Sequence, residues 1–253
     1  CCQHNHAQGW PYYAEHLILA TPDNGVAAAM YAACKATVKV GDGNEISLHE
    51  QTNYPFEETI RFTVNTPKAV SFPFYLRIPS WTEGATIFVN GKKVAANPEA
   101  GQYACINREW KDNDQVEIQL PMQLSMRTWQ VNKNSVSVDY GPLTMSLKID
   151  EDYVKKDSRA TAIGDSKWQE GADASQWPTY EIYAKTPWNY ALVLGKNEPL
   201  KDFKVVHKEW PADNFPFTVA STPIEVKAIG RKVPSWVIDQ YDLCSELPEM
   251  DAP

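Results

Sequence analysis

The chain opens CCQHNH, so Cys1, Cys2, His4 and His6, all side chains that zinc accepts, fall within its first six residues. The helical pattern that follows puts the thiols just ahead of a helix N-terminus. Unpaired backbone N–H groups and the helix dipole favour an anion there, and a cysteine leans toward its thiolate, which is both a nucleophile and a metal ligand. The spacing does not describe a self-contained structural zinc site. Such sites use C-x-x-C-like pairs separated by a loop, and ligands this crowded do not close a tetrahedron around one ion. Read from residue types alone, the opening is either half of a working site or a chain end with chance cysteines.

The other reactive side chains have plainer readings. Cys34 and Cys105 lie in strand-like apolar runs and read as buried structural thiols behaving as small hydrophobes. Five cysteines in 253 residues do not make a disulfide framework. His16, His49 and His207 read as ordinary surface or sheet histidines. Glu57, Glu58, Asp112 and Asp114 fall at turns or strand ends, where solvated charge explains them. Nine tryptophans offer flat apolar faces of the kind that pack on sugar C–H groups. Trp81, Trp110 and Trp236 sit beside strand patterns and read as packing, which leaves Trp168, Trp177 and Trp188 as the better candidates for a carbohydrate platform.

The elements that must position these residues are mostly strands. AQGWPYYAEHLILATPDNG reads as a short helix: Pro11 suits a first turn, Tyr13, Ala14, Leu17 and Ile18 share a face, and the Pro22–Gly25 stretch stops it. After Gly25 the hydrophobic period drops from 3.6 to 2. Ile60, Phe62 and Val64 alternate with polar residues, as do Phe72, Phe74, Leu76 and Ile78, and then Val116, Ile118 and Leu120. Asn90-Gly91 between TIFV and KKV is the signal for a two-residue hairpin, since both turn positions need positive φ. Short strands continue to the end, punctuated by 18 prolines and 12 glycines. Packed antiparallel sheets, as sandwiches or jelly rolls, are the architecture this rhythm implies. One boundary falls near Gly25 and another around residues 126–134, where QLSMRTWQVNKN connects two strand-rich blocks. Residues 150–188 read as containing an extended surface loop.

Charge narrows the partners. Lys plus Arg total 24 against 32 for Asp plus Glu, a net charge of −8, with no basic cluster to track phosphates. Nucleic acid is excluded on that ground. No run of about 18 apolar residues spans a bilayer, and no basic segment with an apolar core marks a signal peptide.

Several stretches resemble glycoside hydrolase family 127, whose best-known activity is β-L-arabinofuranosidase. They are the opening CCQHN, HAQGWPYYAEHLILATPDNG, PFYLRIPSWTEGATIFVNGKKV, GQYACINREWKDNDQVEIQLPM, NSVSVDYGPL and VPSWVIDQYDLCSELP. Members of that family carry an α/α-barrel catalytic domain first, a vicinal cysteine pair near its end, and β-sandwich domains after it. The resemblance therefore implies that residues 1–24 are the last helix of a truncated α/α-barrel, 25–130 a first β-sandwich and 131–253 a second. It implies that Cys1 is the nucleophile and that Cys1 and Cys2 both bind zinc in the full-length protein. The remaining ligands, a glutamate and a third cysteine, and the glutamate acid/base have no counterpart here, so zinc is expected to be absent or incompletely held.

The chemistry fits those residue types. Retaining glycosidases usually attack the anomeric carbon with a carboxylate about 5 Å from the acid/base; a cysteine replaces it only as a thiolate, which zinc coordination provides at neutral pH. Where many relatives have two prolines after the cysteine pair this chain has Gln3 and His4, which makes His4 a candidate contact to substrate. The expectation is the C-terminal region of a zinc- and cysteine-dependent retaining glycosidase acting on arabinofuranosides or related plant-type glycans. By itself the chain is expected to brace the upstream barrel and to be inactive. The alternative is a non-catalytic carbohydrate-binding sandwich. The family's link to polysaccharide breakdown favours an exported, periplasmic or extracellular, bacterial protein.

Overall fold

Alternation decides which side chains meet in the middle. In a computed structural model of the chain, which describes residues 5, 7–95, 98–161, 168–241 and 243–248, the runs read as strands bury one residue in two. Ile60, Phe62 and Val64 are fully buried while Arg61 faces solvent, and Phe72, Phe74, Leu76 and Ile78 are buried on the neighbouring sheet. Val116, Ile118 and Leu120 complete the pattern. Successive residues of an extended chain point to opposite faces, so a single alternating strand supplies one wall of a core and one patch of surface.

The strands run in chain order as β1 (Ile18–Ala20), β2 (Val26–Ala28), β3 (Cys34–Val40), β4 (Asn44–Thr52), β5 (Thr59–Asn65), β6 (Val70–Arg77), β7 (Thr86–Val89), β8 (Lys92–Lys93), β9 (Tyr103–Trp110), β10 (Asp114–Gln119), β11 (Leu124–Trp129), β12 (Ser135–Tyr140) and β13 (Leu143–Thr144). Two sheets make the sandwich, a four-stranded one in the order β1-β2-β6-β9 and a six-stranded one in the order β3-β4-β5-β10-β7-β8. Of their pairings only β2 with β6 is parallel. The inner faces share one hydrophobic core. Phe62 of one sheet meets Phe74 of the other edge to face at 5.3 Å between ring centres. Trp110 fills the space beside Phe72 and Phe74, and its indole N–H donates to the Phe72 carbonyl at 2.9 Å, so burying the ring leaves no orphaned donor. Asn90 and Gly91, both at positive φ, turn β7 into β8 as their sequence dictates.

The helix at the start is shorter than its sequence period implies. It spans Gly9–Glu15 as α1, and Leu17 and Ile18 lie beyond it. Ile18 instead begins β1, antiparallel to β2. Turn chemistry wins over periodicity at this point. Asn24 takes a positive φ, the Thr21 N–H donates to the Gly25 carbonyl, and the Thr21 hydroxyl accepts the Gly25 N–H, closing a hairpin that a longer helix would abolish. The expected burial of the two strand cysteines also fails. Cys105 is exposed and Cys34 only half-buried. Within β9 the inward positions belong to Ala104 and Ile106, so Cys105 falls on the outer face by one residue of register.

Leu124–Trp129, read as connecting chain, is strand β11 paired with β12. Arg127 makes a two-point contact with Asp139 at 2.6 and 3.0 Å, and the Thr144 hydroxyl donates to the same carboxylate at 2.7 Å, tying β11, β12 and β13 together. The Arg127 guanidinium holds the Asp139 carboxyl below its usual range.

The chain divides into two units, Cys1–Trp129 with Ser135–Thr144, and Gln130–Asn134 with Met145–Pro253. The second contains β14 (Glu151–Lys156), a four-residue helix α2 (Ser158–Thr161), β15 (Thr179–Ala184), β16 (Tyr190–Leu192), β17 (Lys204–His207), β18 (Ile224–Lys227) and β19 (Gly230–Lys232). They pair as three two-stranded antiparallel sheets, β14 with β15, β16 with β19 and β17 with β18. The stretch read as an extended loop thus carries a strand pair at its base. Trp188 packs edge to face on Trp236 at 5.1 Å.

A tight approach of backbone to backbone sits where β2 enters the four-stranded sheet. A Cβ on Gly25 would lie 2.3 Å from the Pro73 carbonyl oxygen and 2.5 Å from its ring, whereas nothing lies within 4 Å of one on Gly9. Gly25→Ala is expected to destabilise the sandwich by about 2–3 kcal/mol, measured as a shift in the urea midpoint, while Gly9→Ala does not lower it.

Candidate functional site

Cys1, Cys2 and His4, the residues expected to act, lie with His6 outside the described residues. Their donor chemistry, two thiolates, suits zinc. Among the described residues no group of three or more His, Cys, Asp or Glu is placed to hold a metal ion. Cys34, Cys105 and Cys244 are free thiols.

What is on view is how the helix after those residues is fastened to the sandwich. All of α1 is solvent-exposed or nearly so, and the Tyr13 hydroxyl reaches the Tyr31 carbonyl at 3.2 Å. Tyr31 is itself buried. Its hydroxyl donates to the Arg77 carbonyl at 2.6 Å, and its ring leans on Tyr54 and Phe62. The anchor therefore runs from the helix through one tyrosine into the core.

Next to Tyr31 lies a carboxyl that sequence reasoning passed over. Glu50 follows Ile46 and Leu48 on the inward face of β4 and is only 1% exposed. The clue was available: in NEISLHEQT it occupies the third inward position of a strand whose other inward residues are aliphatic. Its Oε1 accepts the Ala32 N–H at 3.0 Å and its Oε2 accepts the Cys34 thiol at 3.7 Å. Burial pushes the Glu50 carboxyl up to about 8, against the smaller opposing pull of those two donors. Burial, with Glu50 beside it, likewise pushes the Cys34 thiol up to about 11. At neutral pH the pair is a protonated acid and an inert thiol. Glu50, sealed from solvent, holds the segment before β3 against β4 through the Ala32 N–H.

The sign of the pH effect follows. Below the ordinary carboxyl value of 4.5 the folded and unfolded chains are both protonated and the contribution of Glu50 is fully present; it is lost as pH rises and the unfolded chain gives up its proton first, until the folded carboxyl ionises near 8. Glu50→Gln keeps an acceptor for Ala32 and cannot ionise. It is expected to match the wild type in stability below pH 4.5 and to exceed it by about 2 kcal/mol or more near pH 8. Urea unfolding of both proteins across that range checks this, and a difference that does not change with pH would remove the neutral-acid assignment.

Residues 25–122 match the family model described as the middle domain of GH127 β-L-arabinofuranosidase. Among solved structures the chain is similar to a glycoside hydrolase at 32% identity, over 57% of this chain and 24% of that one, with a TM-score of 0.52. It is also similar to a GH127 β-L-arabinofuranosidase from Geobacillus stearothermophilus T6 at 21% identity, over 72% of this chain and 33% of that one, with a TM-score of 0.53. A further GH127 β-arabinofuranosidase gives 20% identity over 79% and 34%, with a TM-score of 0.51. The last two likenesses speak for the fold alone. No curated protein matches the chain. The chain spans about a quarter to a third of the length of these solved structures. The resemblance read from its sequence therefore holds where it can be compared, and residues 25–122 are similar to the middle domain of the GH127 β-L-arabinofuranosidases.

Proposed function

We propose that this chain is the C-terminal portion of a retaining glycoside hydrolase of the β-L-arabinofuranosidase type, acting on plant-type glycans outside the cytoplasm. The observation that carries the reading is order along the chain: a vicinal cysteine pair, one short helix, and then, at residue 25, the start of the GH127 middle-domain match. In this reading Cys1 and Cys2 supply two thiolate ligands to zinc, and the remaining ligands and the acid/base come from sequence beyond this chain. Zinc, when bound, keeps the thiols deprotonated at neutral pH.

In this reading Cys1 is the nucleophile, a role carried over from the family resemblance. Its thiolate attacks the anomeric carbon, a C–S bond forms as the glycosidic C–O bond breaks, and the departing oxygen takes a proton from the acid. Water, deprotonated by the same group, then displaces the sulfur and returns the thiolate, so two inversions leave the sugar with its starting configuration. On the same reading His4, which follows the cysteine pair in the sequence, contacts the sugar, and the sandwich braces the domain that carries the catalytic groups. Among the described residues, no helix is long and apolar enough to cross a membrane.

In the full-length protein, Cys1→Ser is expected to lower hydrolysis of an aryl β-L-arabinofuranoside by about a thousandfold or more, and Cys2→Ser to lower bound zinc. Equal turnover in wild type and Cys1→Ser would sink the nucleophile assignment.

A further inference from the structure

The outer face of the six-stranded sheet carries a depression of about 340 Å³, lined from β4, β5, β7 and β10. That size is in the usual range for ligand sites and suits roughly one or two sugar rings. Register makes its floor a single row of side chains across four strands: Gln51 pairs with Arg61, Arg61 with Glu117, and Glu117 with Phe88. Gln115 stands in the row on one side and Gln119 in the row on the other.

The central groups are held in place before any ligand arrives. Glu117 accepts the Arg61 Nε–H at 2.8 Å on one oxygen and the Gln119 amide at 2.9 Å on the other, and the Thr86 hydroxyl donates to the Gln119 carbonyl at 3.3 Å. The lining has one cation and one anion, and they are paired with each other. A charged ligand such as a phosphate or a uronate finds no net charge to meet. What the floor does offer is planar amide and carboxylate edges beside an aromatic ring. Phe88 is half-buried, and the Gln51 and Gln115 side chains are exposed. This is the pattern that reads adjacent hydroxyls with paired donors and acceptors while a ring face covers sugar C–H groups. β5 and β10 are interior strands, their backbone groups already used in the ladder, so an extended peptide has no edge to join.

We infer that this row, Gln51, Arg61, Glu117 and Phe88 with Gln115 and Gln119 beside it, binds a neutral oligosaccharide. The inference deepens the reading of the chain as part of a glycoside hydrolase and rests on it for the choice of an arabinose-based glycan. The site holds a polymer chain near the enzyme without cleaving it.

The test is titration of the ¹⁵N-labelled 253-residue chain with a linear arabino-oligosaccharide, and with xylo- and cello-oligosaccharides of the same length, following side-chain amide signals. Saturable shifts at Gln51, Gln115 and Gln119 with at least one of these sugars are expected. Gln115→Ala should weaken that binding by about tenfold, while Trp177→Ala, at an exposed indole in the other unit, leaves it unchanged. No shift with any of the three sugars overturns the proposal, as does binding lost in Trp177→Ala and kept in Gln115→Ala. Because nothing here measures hydrolysis, failure of the groove leaves the role of Cys1 standing, and failure of Cys1 leaves the titration readable.

Discussion

Phe62 and Phe74 meet edge to face between strands that belong to opposite sheets, and the rest of the first unit is arranged around keeping them there. Each aromatic ring buries a large apolar area, and such area removed from water is the main favourable contribution to folding. Trp110 closes the remaining space and satisfies its own N–H on the Phe72 carbonyl, so the heaviest side chain in the core adds burial without adding an unpaired donor. The same alternation that sends Phe62 inward sends Arg61 outward. Core and surface are two readings of one strand, and the ordered polar row on the outside exists because the inside is packed.

Much of this was legible in the sequence because a period of two is a strong local signal. The strands carrying Ile60, Phe72 and Val116 and the turn at Asn90-Gly91 follow from residues close to one another in the chain. The misreadings have a common physical origin. Ile18 fits a helical face as well as a strand, and what decides is the hairpin closed by Thr21, Asn24 and Gly25. Cys105 sits in an apolar run, yet one step of register turns it outward. The sequence between the two expected modules held no hint that Arg127 would clasp Asp139 across a strand pair. The parallel pairing of β2 with β6 depends on residues far apart and was beyond any local reading. The family resemblance was legible, and residues 25–122 bear it out. The cysteine pair itself falls outside the described residues.

Two carboxylates show how position sets chemistry. Glu50, sealed beside Cys34, is held neutral by the lack of water around it. Glu117, on the outer face, is oriented by Arg61 and Gln119 and remains in reach of solvent. The first can only support structure; the second can meet a ligand. A carboxyl with a raised pKa is often taken as a mark of catalysis, and Glu50 shows that burial without access gives the same shift.

The four-stranded sheet also orders events in time. Its members β1, β2, β6 and β9 are drawn from residue 18 through residue 110, so the sheet cannot close until Trp110 has been made. The neighbouring run β3-β4-β5 is a simple meander that can form from residues 34–65 alone. Until Trp110 has been made, the inward residues of β5 have β2 and β6 available to cover them but lack Ala104, Ile106 and Trp110 of β9. Distant pairing of this kind slows folding and leaves apolar surface open to other chains. Trp110 completes the four-stranded sheet, and β10, which pairs with β5, follows directly after it.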